Sequence, residues 1–429
     1  MTAMAQSMLG TIAAKAFARE RLVPMCDWLA VALAASLPWS TSATSILAGL
    51  WVIAVIPTLD ATNLRRELCT LAGGLPVLFW ALGVIGMLWA DVSLAERLGG
   101  LSSFHKLLVI PLLLIHFRRS ERGSWVMMGF LLSCGVLLVV SWGLYLFPDI
   151  RVGQLVTPGV PVKDYISQSA MFGAGLAIAI DLALSAWRQA RSGVALAYVL
   201  FALAFLANIF VIATSRTALV VLPILLVLFG LKRFDWKWAV AFLAALILLA
   251  AAAWPVSGYL RIRVTTILGE VQAYRAENAR TSIGERLEFW KKSIDFIAAA
   301  PVIGHGTGTI RELFRRAATG ESGASSLVAA NPHNQTLAVA IQLGLVGTIV
   351  LYAMWIAHLL LFRGEGRAAW IGLAVVVQNL VGSLFNSHLF DFTHGWGYVI
   401  GVGIAGGIIL RNASRNSHSP EWPMGKPRG

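Results

Sequence analysis

Three residues of this 429-residue sequence are placed where an anion could be held and a proton moved: Arg216, Arg286 and His333. His333 lies in Asn331-Pro332-His333-Asn334, just before a strongly apolar run. An imidazole titrates near neutrality, so at the edge of such a run it could take a proton from a hydroxyl. It could equally be a hydrogen-bonded residue at a helix end. Pro332 biases Asn331 towards extended backbone and puts the helix start at or just after the proline. Gly344, eleven residues past His333, then falls nearly beneath it, with Gly347 one turn further. Small residues there would admit a neighbouring helix.

Arg286 follows Ser282-Ile283-Gly284-Glu285, whose S-x-x-E spacing predicts a capping box with Ser282 as the cap. Leu287, Trp290, Ile294 and Ile297 recur at steps of 3, 4 and 3, one apolar face of a helix that stops before Pro301. A guanidinium in the first turns, near unpaired backbone N–H groups and the positive end of the dipole, suits a phosphate or diphosphate. Its alternative partners are Glu285, Glu288 or a lipid headgroup. Arg216 sits in Thr214-Ser215-Arg216-Thr217 between two apolar runs. It could snorkel at a membrane edge, or hold phosphate oxygens together with the flanking hydroxyls.

Weaker signals lie around these three. Lys163, Asp164 and Gln168 open an apolar run and could line a substrate cavity. His388, Asp391 and His394 cluster, but their 3+3 spacing is not a standard ligand pair on a helix, so no metal site is assigned. Gly304-His305-Gly306-Thr307-Gly308 lacks the Gly-Lys-Ser/Thr ending of a phosphate loop and reads as a tight turn. His105-Lys106 and Asp181, inside apolar runs, are expected to face the bundle interior. No Asp-x-Asp occurs, which removes the usual metal–diphosphate clamp, and no cofactor is expected.

The elements that must position these residues are membrane helices. The chain is 58% hydrophobic and 13% charged, with a mean hydropathy of +0.74. Soluble globular chains are about half apolar and about a quarter charged, so a secreted protein, a cytosolic enzyme and a disordered chain are excluded. Apolar runs fall at 23–39, 42–58, 71–90, 98–117, 124–147, 165–187, 192–213, 217–231, 236–254, 335–362, 368–386 and 395–411. The expectation is an all-α polytopic protein with about twelve transmembrane helices. It divides into a bundle over 1–254, a helical loop over 255–334, three further spans over 335–411 and a tail over 412–429. No cleavable signal peptide is evident.

Orientation follows from the basic residues. One set of connections, including Lys15, Arg19, Arg65, Arg118, Lys232, Arg363 and Lys426, carries 19 Lys and Arg; the short connections opposite carry Arg97, Arg151, Lys163 and Arg216. Both termini are therefore expected in the cytoplasm. Most of the net charge of +13 is then topology, and no nucleic-acid partner is expected. Residues 255–334 lie on the opposite face and hold ten Lys/Arg and seven Asp/Glu, more than orientation requires. Cys26, Cys69 and Cys134 are scattered and odd in number, with no CxxC spacing, and imply neither metal nor disulfide.

At this point the sequence resembles the O-antigen ligase and O-antigen polymerase superfamily of bacterial envelope glycosyltransferases. His333-Asn334, nine residues, then Gly344-x-x-Gly347 is similar to the ligase signature. Arg286-x-x-x-Trp290 running into Pro301-x-x-Gly304-x-Gly306 resembles the start of the family's large periplasmic loop, and Ser215-Arg216-Thr217 ends a span. The resemblance covers 214–347. It implies a membrane glycosyltransferase C-type fold in the bacterial inner membrane, its active site on the periplasmic face. It also implies transfer of a glycan from undecaprenyl diphosphate to a sugar hydroxyl of lipid A–core. His333 then becomes the catalytic base and Arg216 and Arg286 the diphosphate ligands, in a metal-independent inverting displacement. Asn334, Lys163, Gln168, His388 and Asp391 are secondary candidates. The rivals are a polymerase, a protein O-glycosyltransferase and, from another class, a lipid-linked glycan transporter. The last would need paired broken helices or an internal repeat, and none is convincing.

Overall fold

The computed structural model describes residues 20–149, 157–256 and 258–416. Lys15, Arg19, Arg151, Lys426, Arg428, the signal-peptide segment and most of the tail lie outside the described residues. Among the described residues every regular element is a helix. They run in order as α1 (20–36), α2 (Thr41–Val55), α3 (Ala61–Leu68), α4 (Leu71–Ile85), α5 (Leu94–His105), α6 (Val109–Arg119), α7 (Gly123–Leu146), α8 (Tyr165–Arg188) and α9 (Ser192–Val211). Then come α10 (Arg216–Arg233), α11 (Trp236–Val256), α12 (Gly258–Glu277), α13 (Ser282–Ala299), α14 (Ile310–Arg316), α15 (Gln335–Leu361), α16 (Arg367–Gly382) and α17 (Phe392–Asn416). Helices α6, α16 and α17 pack as one group, α8 lies along α9, and α4 lies along α15.

By length and composition seven described helices can cross a membrane, or eight if α3 and α4, bent by 82°, form one broken span. That differs from the expected twelve. An apolar run in sequence is not a helix of equal length: caps, prolines and charges cut several runs short. The 368–386 run yields the 16-residue α16, the 71–90 run ends as helix at Ile85, and α10 carries Arg216, Lys232 and Arg233 within 18 residues. The 98–117 run becomes α5 and α6 joined by a single 3₁₀ turn, and together they qualify.

Two ionisable groups expected inside the bundle are paired there, as a low-dielectric interior demands. Asp181 is buried and accepts from Arg233 and, at 2.9 Å, from Arg367. Lys106 is buried and donates to the carbonyls of Phe390 and Asp391 at 3.0 and 2.6 Å. His105 departs from expectation: it is exposed and accepts from the Trp80 indole at 3.0 Å.

The segment between α12 and α15 is built onto the bundle through a break in α15. Gly344 has φ +60°, ψ −153° within an otherwise helical run. The break frees backbone groups that the helix would otherwise consume, and the chain around Pro301 uses them. Leu345 N–H donates to the Pro301 carbonyl at 2.9 Å and Val346 N–H to that of Val302 at 3.2 Å. In return His305 and Gly306 N–H donate to the carbonyls of Ile341 and Gln342 at 2.8 and 2.9 Å. A Cβ on Gly344 would run into the Val302 backbone. The glycine therefore admits the turn at Pro301–Ile303 rather than a neighbouring helix, and it does not lie helically beneath His333. The Gly304–Gly308 segment is the tight turn that carries the chain away, with positive φ at all three glycines.

A small second core secures the loop helices. Phe289 of α13 and Ile310 and Phe314 of α14 pack with Ala338 and Ile341 of α15, with Trp290 and Ile297 against them. The buried side of α13 is Gly284, Glu288, Phe289, Lys292 and Ser293. This is rotated from the expected face, leaving Ile294 62% exposed. The 3-4-3 pattern misleads here because buried Lys292 donates to the Ser325 carbonyl at 2.6 Å and pairs with Glu288 at 3.4 Å, which satisfies a polar face inside.

Candidate functional site

Arg216 is the first residue of α10. Its predecessor Ser215 caps that helix, accepting from Ala218 N–H at 3.0 Å, and its hydroxyl lies 2.8 Å from that of Ser169 on α8. The guanidinium does not project freely. Glu270 of α12 takes both prongs, Nη2 to Oε1 at 2.5 Å and Nη1 to Oε2 at 3.3 Å, while Nε is buried with no partner among the described residues. Glu270 Oε2 also accepts the backbone N–H of Ile283 at 3.0 Å, in the first turn of α13. Sequence reasoning missed this residue, since nothing in local spacing links position 270 to position 216.

Helix α13 begins one position from its expected cap. Thr281, not Ser282, is the N-cap, accepting Gly284 N–H at 3.0 Å. Gly284 is glycine for a reason: a Cβ there would stand 2.8 Å from the Ala279 carbonyl and 3.0 Å from Cβ of Tyr274. Arg286 is the fifth helical residue, still close to the N-terminal turn. It is half-buried and has no hydrogen-bond or ion-pair partner among the described residues. The anticipated partner Glu288 is engaged by Tyr274 and Lys292 instead. Burial first, then the neighbouring Arg216, pushes the Arg286 guanidinium below its usual range, with Tyr165, Glu270 and Glu285 opposing. Two cations are thus held near each other at a helix N-terminus, a setting that favours an anion.

His333 also lies within electrostatic reach of Arg286. It lies outside α15, which Asn334 caps by accepting Leu337 N–H at 3.1 Å. Asn334 is therefore bound up in starting the helix. His333 itself has φ +55°, rare for a residue with a Cβ, and an Asn331 turn sustains it: Asn331 Oδ1 accepts His333 N–H at 2.8 Å. The ring lies nearly parallel to that of Phe289, centroids 6.0 Å apart.

Asn386 fixes the ring's tautomer. Its Oδ1 accepts the Ser387 backbone N–H at 2.9 Å and the Asn331 amide at 2.9 Å, so the atom is an acceptor. The same oxygen lies 3.1 Å from His333 Nδ1, which must therefore carry the hydrogen. The lone pair is left on Nε2, the nitrogen of a general base. Burial, then Arg286, holds the imidazole below its ordinary value of 6.5, against the pull of the Asn386 bond and Glu285. It is neutral, and able to accept a proton, at pH 7.

The secondary candidates divide. Gln168 is buried in a polar knot with Ser141 at 3.0 Å and Asn208 at 3.2 Å. Asp164 caps α8. Lys163 donates to the Leu37 carbonyl and, at 3.1 Å, to Thr393 Oγ1, and burial pulls its ammonium down to about 8. Both hold the mouth of α8 in place. His388 and His394 stack 3.9 Å apart, and Asp391 accepts from His394 Nδ1 at 2.7 Å. Among the described residues no three His, Cys, Asp or Glu side chains converge as a metal site. His388 and His394 instead border a small cavity that they share with Ser169, Ser215 and Thr217.

The structure therefore brings Arg286 of α13 within electrostatic reach of both Arg216 at the start of α10 and His333 on the approach to α15. Arg286 senses Arg216, and His333 senses Arg286. Such a site can bind an anion beside a nitrogen lone pair, the requirements of a transfer in which the leaving group is anionic and the acceptor must lose a proton.

Residues 201–352, which include all three, match the family model described as O-antigen ligase. No curated protein matches the chain.

Proposed function

Starting from a chain whose 201–352 segment belongs to the O-antigen ligase family, we propose that it transfers an O-antigen glycan from undecaprenyl diphosphate to a sugar hydroxyl of lipid A–core. The observation that carries this reading is the contact of His333 Nδ1 with Asn386 Oδ1. A histidine with Nδ1 committed to Asn386 offers Nε2 to an acceptor hydroxyl, beside two arginines suited to a diphosphate.

In the proposed displacement the acceptor oxygen attacks the anomeric carbon and its proton passes to His333 Nε2. The bond from that carbon to the diphosphate oxygen breaks, and the electron pair leaves with the lipid diphosphate. Arg216 and Arg286 stabilise the charge that develops there. The leaving group is stable as an anion and needs no proton. One displacement inverts the anomeric carbon. The positive-inside count supports an inner-membrane protein with the site on the periplasmic face.

The test is a transfer assay with purified lipid-linked glycan in excess chelator, offered either lipid A–core or a second lipid-linked glycan. Glycan-bearing lipid A–core is expected. Extension of the lipid-linked glycan alone would make the protein a polymerase, and recovery only with magnesium or manganese would remove the arginine-based account.

A further inference from the structure

The atoms around Arg216 already cradle an anion, and that anion is part of the protein. Both oxygens of the Glu270 carboxylate sit on the Arg216 fork, and Oε2 also takes the Ile283 amide at the N-terminus of α13. A two-pronged guanidinium plus a helix-start N–H is the donor set that phosphate oxygens use. Arg286 stands nearby without a bonded counter-ion among the described residues.

We propose that Glu270 is a selectivity residue: a resident counter-ion that reserves Arg216 for a diphosphate and withholds it from the phosphodiester headgroups of bulk lipid. The proposal rests on the reading of Arg216 and Arg286 as the diphosphate grip. Its physical content is a comparison of charges. A phosphodiester carries one negative charge, as the carboxylate does, so exchanging one for the other gains nothing at Arg216. A diphosphate brings a second charge, which Arg286 takes. Only the diphosphate recovers the cost of releasing Glu270 to water.

The arrangement answers a real difficulty. Ser215 and Thr217, on either side of Arg216, border a small cavity lined by Ile166, Ala170, Val221 and Leu222, and an arginine at such an apolar edge is within reach of lipid headgroups. Membrane phospholipids outnumber a lipid-linked glycan by a wide margin, and mass action would fill an open arginine with them. Discrimination then requires an element that works against the wrong ligand, and a like charge already in the site is one.

The experiment uses the full-length protein in a phosphate-free maltoside detergent. Farnesyl diphosphate is the diphosphate probe and dihexanoyl phosphatidylglycerol the phosphodiester competitor. The wild type is expected to bind farnesyl diphosphate with no loss when phosphatidylglycerol is in large excess. Glu270→Gln is expected to bind farnesyl diphosphate about tenfold more tightly, the scale of one hydrogen bond to a charged group. It should also become sensitive to phosphatidylglycerol. A folded Glu270→Gln protein with unchanged diphosphate affinity, or with no competition from phosphatidylglycerol, would overturn the proposal. The wild-type arm decides on its own if the variant fails to fold, since effective competition there would overturn it too. Arg286→Ala separates the two layers. Farnesyl diphosphate affinity unaffected by that change would remove the diphosphate site itself, whatever Glu270 does.

Discussion

His333 Nδ1 lies 3.1 Å from Asn386 Oδ1, an oxygen that also receives the Ser387 backbone N–H. The bond joins the approach to α15 with the connection between α16 and α17, and it sets which ring nitrogen is free. Asn386→Ala should therefore lower turnover with donor affinity kept, by less than the about 10²–10⁴-fold expected for losing the base itself. Asn386→Asp should retain more turnover but raise the imidazole pKa, because a carboxylate stabilises the charged ring. Turnover and donor binding measured for both variants check this; a wild-type rate in Asn386→Ala would show that the contact does not position the base.

The pH profile carries its own sign. Burial and Arg286 both depress the His333 pKa from 6.5, so the base is neutral at pH 7 and is lost only as pH falls through that lowered value. The acid limb of kcat/KM should lie below pH 6.5. Arg286→Gln removes the repelling cation and should move that limb upward, together with a loss of donor affinity. A limb that stays put in Arg286→Gln would mean that the two groups are not coupled.

The glycine in the α15 break gives a structural prediction. Gly344→Ala combines a positive φ, costing about 1–3 kcal/mol, with a Cβ driven into the Val302 backbone. The 301–306 segment should detach and become sensitive to protease, with a lower Tm. Wild-type protection of the loop would contradict the interlocked backbone at Pro301 and Val302.

Much of this arrangement was legible in the sequence. Arg216, Arg286 and His333 could be selected because each has an unusual local setting: a charge between apolar runs, a charge after a cap-like motif, an imidazole before a membrane helix. Their convergence follows a topology that the apolar pattern and the loop length foreshadow. Glu270 and Asn386 were not legible, because their meaning lies in contacts 54 and 53 residues away in sequence. Gly344 was found for the wrong reason, since helical periodicity cannot signal that a helix is interrupted to receive a loop. The seven or eight candidate spans among the described residues fall short of the expected twelve through the same limit: hydropathy reports apolar length, not where a helix ends.

The start of α13 offers an internal control on that reading. Thr281→Ala should cost about 1 kcal/mol, the usual value of an N-cap, and Ser282→Ala much less. Thermal unfolding of the two variants separates them. A larger loss from Ser282→Ala would restore the capping box inferred from spacing and shift Arg286 relative to the helix end.

The most direct test of the account is His333→Ala, assayed for donor binding and for transfer with purified lipid-linked glycan and lipid A–core. The account predicts wild-type donor affinity, because Arg216 and Arg286 are untouched, with transfer lower by about 10²–10⁴-fold. Near-normal transfer by a correctly folded His333→Ala protein would contradict it.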